Sequence, residues 1–313
     1  MSAAVHTSVL LQEVIDGLQP KAGGVYIDAT CGLGGHTRAL LEHSGPDGRV
    51  LGVDRDPEAL REARTRLAEF GDRLTLVEGD FSALKEQAAQ TGHLPADGVL
   101  ADLGVSSLQL DRPERGFSFQ RKGPLDMRMG PGVGPTAAEL LASVDELELT
   151  RILAEYGEVD RPKQVARAIL GARDAGKLVS TQDLAALLER TIRGRPTGIH
   201  PATRTFQALR IAVNRELAEL EALLALLPEL VRPGGRAAII SFHSLEDRLV
   251  KRAFEDPKPA QQPHRLPVEP ERKFGPWRSL QKKPVVAEEA EVEANPRSRS
   301  AKLRIAERRE AIG

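Results

Sequence analysis

Four short apolar runs, each closed by an aspartate, constrain what this chain can fold into more than any other feature. They are Val25-Tyr26-Ile27 before Asp28, Val50-Leu51-Gly52-Val53 before Asp54, Leu74-Thr75-Leu76-Val77 before Gly79-Asp80, and Gly98-Val99-Leu100-Ala101 before Asp102. Runs this short and apolar on both sides read as strands of a parallel sheet, which needs helices over both of its faces. The intervening segments supply them. Helix is predicted from about His36 to His43, and Pro57, at a first helical position, opens an amphipathic helix to about Phe70. Ligands of such a sheet bind beyond the carboxyl ends of its strands, so the four aspartates are predicted to converge on one ligand.

Between the first strand and its helix lies Asp28-Ala29-Thr30-Cys31-Gly32-Leu33-Gly34-Gly35-His36-Thr37. Glycines at 32, 34 and 35 permit positive φ and close approach of backbone to a ligand, and the helix aims its unpaired N–H groups at the same place. Asp54 takes the position from which a doubly wound fold holds ribose hydroxyls. A G-x-G by itself also marks plain tight turns. The dinucleotide fingerprint, however, has a third glycine where this chain has Thr37, and here Asp28 precedes the turn. That favours S-adenosylmethionine over a nicotinamide cofactor, because a ligand with an amino acid tail and no pyrophosphate gains from a carboxylate beside its ammonium group. A dehydrogenase using the same cradle is the rival.

With 313 residues the chain has room for one large domain and a smaller one. Neither Met1 to Pro20 nor the apolar stretch Leu220 to Val231, interrupted by Glu221, Pro228 and Glu229, reads as a signal or a membrane span, so a cytoplasmic protein is expected. The single cysteine, Cys31, excludes an internal disulfide and lies inside the cradle, a poor place for a nucleophile that must meet a target base. His6, His36, His200 and His243 show no H-x-x-x-H spacing, so no metal site is expected.

Lys and Arg number 44 against 45 Asp and Glu, so a nucleic acid could be held only by segregated charge. The charge is segregated. Glu288, Glu289, Glu291 and Glu293 precede Arg297, Arg299, Lys302, Arg304, Arg308 and Arg309, while Arg265, Arg272, Lys273, Arg278, Lys282 and Lys283 cluster upstream. A solvated tail is the plainer explanation. Aromatic residues make up only 4%, so RNA contact would run mainly through phosphates.

After Asp102 the strand pattern stops. Residues 105 to 134 are rich in Gly, Pro and charge, and the loop 106–130, with Phe117, Phe119 and Met127, is either a lid or an anchor packing the helical insert onto the sheet. Residues 136 to 194 read as helical, with a capping box at Ser143 to Glu146 and helices over Lys163 to Ala172 and Thr181 to Ile192. The division is therefore 1–104 and 206–313 for the sheet domain and 105–205 for a helical insertion. One long amphipathic helix carrying Leu209, Val213, Leu217, Leu220, Leu224 and Leu227 is predicted to lead back to a buried strand, Ala237 to Ile240, and a helix near Leu245. Residues 257 to 284 are expected to be irregular, and Ala301 to Ile305 a last strand.

Several blocks carry a specific resemblance. Asp28 to His36, Asp102-Leu-Gly-Val-Ser-Ser-Leu-Gln-Leu-Asp111, Arg115-Gly-Phe-Ser-Phe119, His200-Pro-Ala-Thr-Arg-Thr-Phe-Gln-Ala-Leu-Arg210, Ser241-Phe-His-Ser-Leu-Glu-Asp-Arg248 and Asn295 to Arg304 resemble the signature blocks of the RsmH (MraW) family, in that family's order, from His6 to Arg308. These are the bacterial 16S ribosomal RNA (cytosine-N4)-methyltransferases. The resemblance implies an α/β fold, a class I (Rossmann-like) methyltransferase sheet with an inserted all-helical domain. It also implies S-adenosyl-L-methionine as donor and a decoding-centre cytidine of 16S rRNA in the small ribosomal subunit as acceptor.

Carried over by motif, the donor would be held by Gly34, Gly35, His36, Asp54 at the ribose, Phe81 at the adenine, Asp102 and Gln109. Asp102 either holds the donor or acts catalytically as acceptor for the hydrogens of the cytosine amine. His200, Arg204, Asn214 and His243 either touch RNA or form a buried polar network, and Arg297 and Arg299 are expected on phosphates. No membrane contact is implied, and a homodimer is allowed for. Ser8 and Leu108 stand where the family often has proline. A donor-binding assembly factor that transfers nothing is the second rival.

Overall fold

The computed structural model describes residues 8–192, 200–257 and 274–310; His6, Arg265, Arg272 and Lys273 lie outside them. The chain divides into two compact units. One takes the residues up to Gly104 together with Glu219 onward, and the other is Val105–Ala218.

The first unit opens with α1 (Leu11–Leu18), β1 (Val25–Asp28), α2 (Gly35–His43), β2 (Arg49–Asp54), α3 (Pro57–Arg66), β3 (Leu74–Glu78), α4 (Leu84–Gln90) and β4 (Ala96–Asp102). The second holds α5 (Ser107–Asp111), α6 (Ala137–Ser143), α7 (Glu146–Gly157), α8 (Pro162–Asp174), α9 (Thr181–Thr191) and α10 (Ala202–Asn214). Then follow α11 (Glu216–Leu230), β5 (Val231–Ser241), α12 (Ser244–Phe254), β6 (Trp277–Ser279), α13 (Glu289–Ala294) and β7 (Lys302–Arg308).

The strands form one sheet in the order β3-β2-β1-β4-β5-β7-β6. β1 to β5 run parallel, with Asp28 opposite Gly52 and Leu100 and with Asp102 opposite Ile240, while β7 runs antiparallel to β5 and β6. Alternation along the strands builds a core on each face. Ile27, Val99, Ala101, Ala237 and Ile239 face Leu220, Leu223 and Leu227 of α11 on one side. Tyr26, Leu100, Ala238 and Ile240 face Val14 and Leu18 of α1 and Leu40 of α2 on the other. Each such leucine, fully buried, contributes about 1.5–3 kcal/mol, which is why runs apolar at every position can be strands only when both faces are covered.

Several expectations change. The long helix over Leu209 to Leu227 is two helices, because Arg215 adopts the left-handed conformation (φ 51°) and closes α10 after Asn214. The apolar stripe runs through the break, so periodicity could not reveal it. The helical unit accordingly extends past 205, to Ala218. The capping box at Ser143 does not form. Ser143 ends α6, and Asp145 caps α7 by accepting from the Glu148 N–H; the box sits at Thr136 and Glu139 instead. Within the stretch expected to be irregular, Trp277–Ser279 pairs with β7 as an edge strand because buried Trp277 packs beside Phe254. The acidic run is no solvated tail. It forms α13, and Glu291 Oε1 accepts the Leu10 N–H at 2.9 Å.

Candidate active site

Strand order reverses between β1 and β4, and a sheet of this kind opens a crevice at their carboxyl ends. Local bonds fix both tips: the Ala29 N–H donates to the Leu100 carbonyl at 2.8 Å, and the Asp102 N–H donates to Thr30 Oγ1 at 2.6 Å. The glycine turn is equally constrained. Gly32 and Gly34 both have positive φ (53° and 85°), and the Gly32 N–H donates to Asp54 Oδ2 at 2.7 Å. Asp54 Oδ1 accepts from the Asp56 N–H at 2.9 Å. Gly34 is the N-cap of α2 and offers no capping side chain, so the first N–H groups of that helix stay available to a ligand.

Asp28 is fully buried and accepts from Thr37 Oγ1 at 2.7 Å and from the Thr30 N–H at 3.2 Å. Thr37 thus stands in the third-glycine slot as the hydroxyl that holds Asp28, a role no motif signals. His36 is buried with Nε2 at 3.0 Å from the Val9 carbonyl, so Nε2 carries the hydrogen and Nδ1 is left as an acceptor. That acceptor lies 3.7 Å from Asp102 Oδ2. The other oxygen of Asp102, Oδ1, is buried without a hydrogen-bond partner among the described residues.

Burial dominates the electrostatics. It pushes Asp28 and Asp54 up to about 6 against the hydrogen bonds that hold each carboxylate. Burial, and then the charges of Asp28 and Glu246, push Asp102 well above the usual carboxylate range. Burial lowers His36 to about 4, so it is neutral near pH 7. Among the described residues no Lys or Arg pairs with Asp28, Asp54 or Asp102. An acceptor facing a carboxylate, with a second carboxyl oxygen unpartnered, calls for a donor-bearing, positively charged ligand between them.

A pH dependence of stability follows. Asp28 binds its proton more tightly folded (about 6) than unfolded (near 3.8), so between these values the folded state holds more protons and stability falls as pH rises. The full loss is on the order of 3 kcal/mol for so deeply buried a group. Thermal melts of the donor-free protein between pH 4 and 7 should show this decline, and Asp28→Asn should make it shallower, the remainder coming from Asp54 and Asp102, which burial raises in the same direction; an equally steep decline in the variant would take Asp28 out of the account.

Other predicted residues lie as follows. Asp80 is not part of the buried group: it follows β3, is partly exposed and pairs with Arg55. Phe81 starts the short 3-10 turn after β3 and is partly buried. Gln109, in the helical unit, is buried; it forms a capping box with Ser106 and donates to the Met129 carbonyl at 3.1 Å.

Asn214 is internal to that unit, accepting from the Met129 N–H and donating to the Met127 carbonyl, both at 2.7 Å. Its amide is thereby engaged in holding the loop. Phe117 and Met127 are core residues of the same unit. His243 stands at the start of α12. It caps α12, and the partner in its capping box, Glu246, is buried and accepts the Phe242 N–H at 2.8 Å. His200 and Arg204 lie at the surface of the helical unit, and Arg204 donates to the Glu158 carbonyl at 2.9 Å. Arg297 and Arg299 sit in a short 3-10 helix before β7, Arg299 exposed. Cys31 is buried beside Thr37, and burial pushes its thiol well up, so it is no nucleophile.

The sheet order, the glycine turn and the carboxyl groups at the β1, β2 and β4 tips, buried at Asp28 and partly buried at Asp54 and Asp102, define a class I, Rossmann-like methyltransferase whose donor is S-adenosylmethionine. Residues 3–309 match the MraW methylase family, and the chain belongs to it. It is 51% identical over 304 residues to the ribosomal RNA small subunit methyltransferase H of Sorangium cellulosum, covering 97% of this chain and 90% of that one. The proteins of that name from Parvibaculum lavamentivorans (50% over 310 residues, 98% and 90% covered) and Magnetococcus marinus (48% over 308 residues, 97% and 98%) are similarly close. No helix among the described residues is long and apolar enough to cross a membrane.

Proposed function

We propose that this enzyme methylates the exocyclic N4 amine of a decoding-centre cytidine in 16S rRNA of the small ribosomal subunit. The observation that carries the substrate is the near full-length similarity to proteins named for methylating small-subunit ribosomal RNA. Bound S-adenosylmethionine supplies an activated methyl group, and transfer to an amine needs no protein nucleophile, in keeping with the inert Cys31.

The chain's own task is alignment and proton handling. Gly34 and Gly35 let the backbone approach the donor, and Asp54, held by two backbone N–H groups, presents its remaining acceptor capacity to ribose hydroxyls. Phe81 offers a face to the adenine. His36 and Asp102 receive the donor's amino acid end, and Asp102 Oδ1 accepts an N–H of the cytosine amine, favouring a localised lone pair on a nitrogen otherwise conjugated with the ring. Arg297 and Arg299 contact phosphates.

Incubation with methyl-labelled donor and small subunits lacking the modification should place label on a cytidine exocyclic amine. Label on ring carbon 5, or none, would refute the proposal.

A further inference from the structure

Two aromatic residues of the helical unit are left unexplained by methyl transfer. Phe119 is stacked on His200, with ring centroids 4.5 Å apart and planes at 29°, and is backed by Phe206 edge-on at 5.0 Å. His200 cannot turn. Its Nδ1 accepts the Ala202 N–H at 3.1 Å, so Nε2 carries the hydrogen and donates it to Glu189 Oε1 at 2.8 Å. The imidazole is thereby held as an oriented plate, 36% exposed.

This plate lines an open groove of about 540 Å3, within the size range of small-ligand sites, whose rim carries the exposed amides of Gln120 and Gln182 and whose wall includes Ala186. Among the described residues no Lys or Arg lines it, and the one charged group they bring to it is Glu189. The described lining offers no cation to a phosphate. It suits a flat, neutral heterocycle, stacked on the fixed ring, with amide groups to meet its edge and a carboxylate to accept from an exocyclic amine.

We propose that this groove is a second, non-reacting nucleobase site for the RNA substrate, preferring a base with an exocyclic amine (adenine, guanine or cytosine) over uracil. The proposal rests on the methylation of RNA by this enzyme, and its chemistry is separate from the cradle. The groove adds affinity for RNA and leaves the transfer step alone.

Ala186→Phe fills the groove while removing no hydrogen bond. With unmodified small subunits it should raise KM by about tenfold, the stacking of one base being worth about 1–3 kcal/mol, and leave kcat unchanged. His200→Ala should do the same. His200→Phe keeps a stacking face but loses the bonds to Ala202 and Glu189, and should retain a near wild-type KM. If His200 merely caps α10, the alanine and phenylalanine variants would be equally impaired, and the proposal falls. A tetranucleotide of adenylate should bind the wild type more tightly than one of uridylate, by fluorescence anisotropy, and Ala186→Phe should erase the difference. Equal affinities, or a difference that survives in the variant, would overturn the site. Wild-type protein that fails to methylate the subunits would instead refute the proposed function.

Discussion

Asp102→Asn is expected to lower turnover about a hundredfold at saturating donor, the lower end of what a positioned proton acceptor contributes, while donor affinity falls less than about tenfold. The asymmetry comes from the two oxygens of one carboxyl group. Oδ2 faces His36 Nδ1 at 3.7 Å and belongs to the donor side, where an asparagine carbonyl can still accept a hydrogen bond. Oδ1 is buried and unpartnered; beside the cationic donor the group ionises, and an amide there cannot accept with the strength of that carboxylate. Because burial already holds Asp102 far above the usual carboxylate range, the neutral replacement should not lower the melting temperature of the donor-free protein. Calorimetric titration with donor and steady-state assays on unmodified subunits separate the effects. A loss of donor affinity with turnover preserved would make Asp102 a donor-holding residue only.

The second large effect is expected at the glycine turn. Gly34 has φ 85°, and a Cβ there would lie 2.6 Å from Leu67 Cδ1 and 3.2 Å from Leu67 Cγ. Leu67 is itself buried, so the cradle backbone must move. Gly34→Ala therefore combines left-handed strain of about 1–2 kcal/mol with a displaced turn, and should lower the melting temperature by about 5 °C while weakening donor binding about a hundredfold or more.

Two controls isolate the causes. Gly23→Ala incurs the φ strain alone, since φ is 71° and nothing lies within 4 Å of the added carbon. At Gly35, whose φ is not positive, the added carbon meets the Ser8 hydroxyl, which can rotate away, so Gly35→Ala should be the milder variant. If Gly34→Ala binds donor as Gly35→Ala does, the turn is not the cradle.

Much of the site was legible because it is local in sequence. Asp28, Gly32, Gly34 and Thr37 fall within one strand, turn and helix, and hydrophobic runs ending in aspartate placed Asp54 and Asp102 at strand tips. The pattern could not separate Asp80 from the other three. All four follow a strand, but among the described residues only Asp80 is paired with Arg55, and its side chain is the more exposed, 38% against 24% for Asp102. At Asn214 and His243 the sequence leaves both alternatives standing, because polar residues that hold loops and cap helices are the same residue types that touch nucleic acid. The helix break at Arg215 escaped periodicity because the stripe of leucines on either side stays in phase.

What the amino-acid order settled alone was the alternation of strand and helix, the glycine turn and the family, all carried by neighbours in the chain. The tertiary fold decided which carboxyl groups lose their water. Asp28, Asp54 and Asp102 come from three strands, and only the parallel register that sets β2 and β4 on either side of β1 gathers them where burial, not sequence, raises their proton affinity. The same holds for the His36 ring, whose free nitrogen is fixed by a carbonyl at Val9, a main-chain atom that no side-chain pattern records.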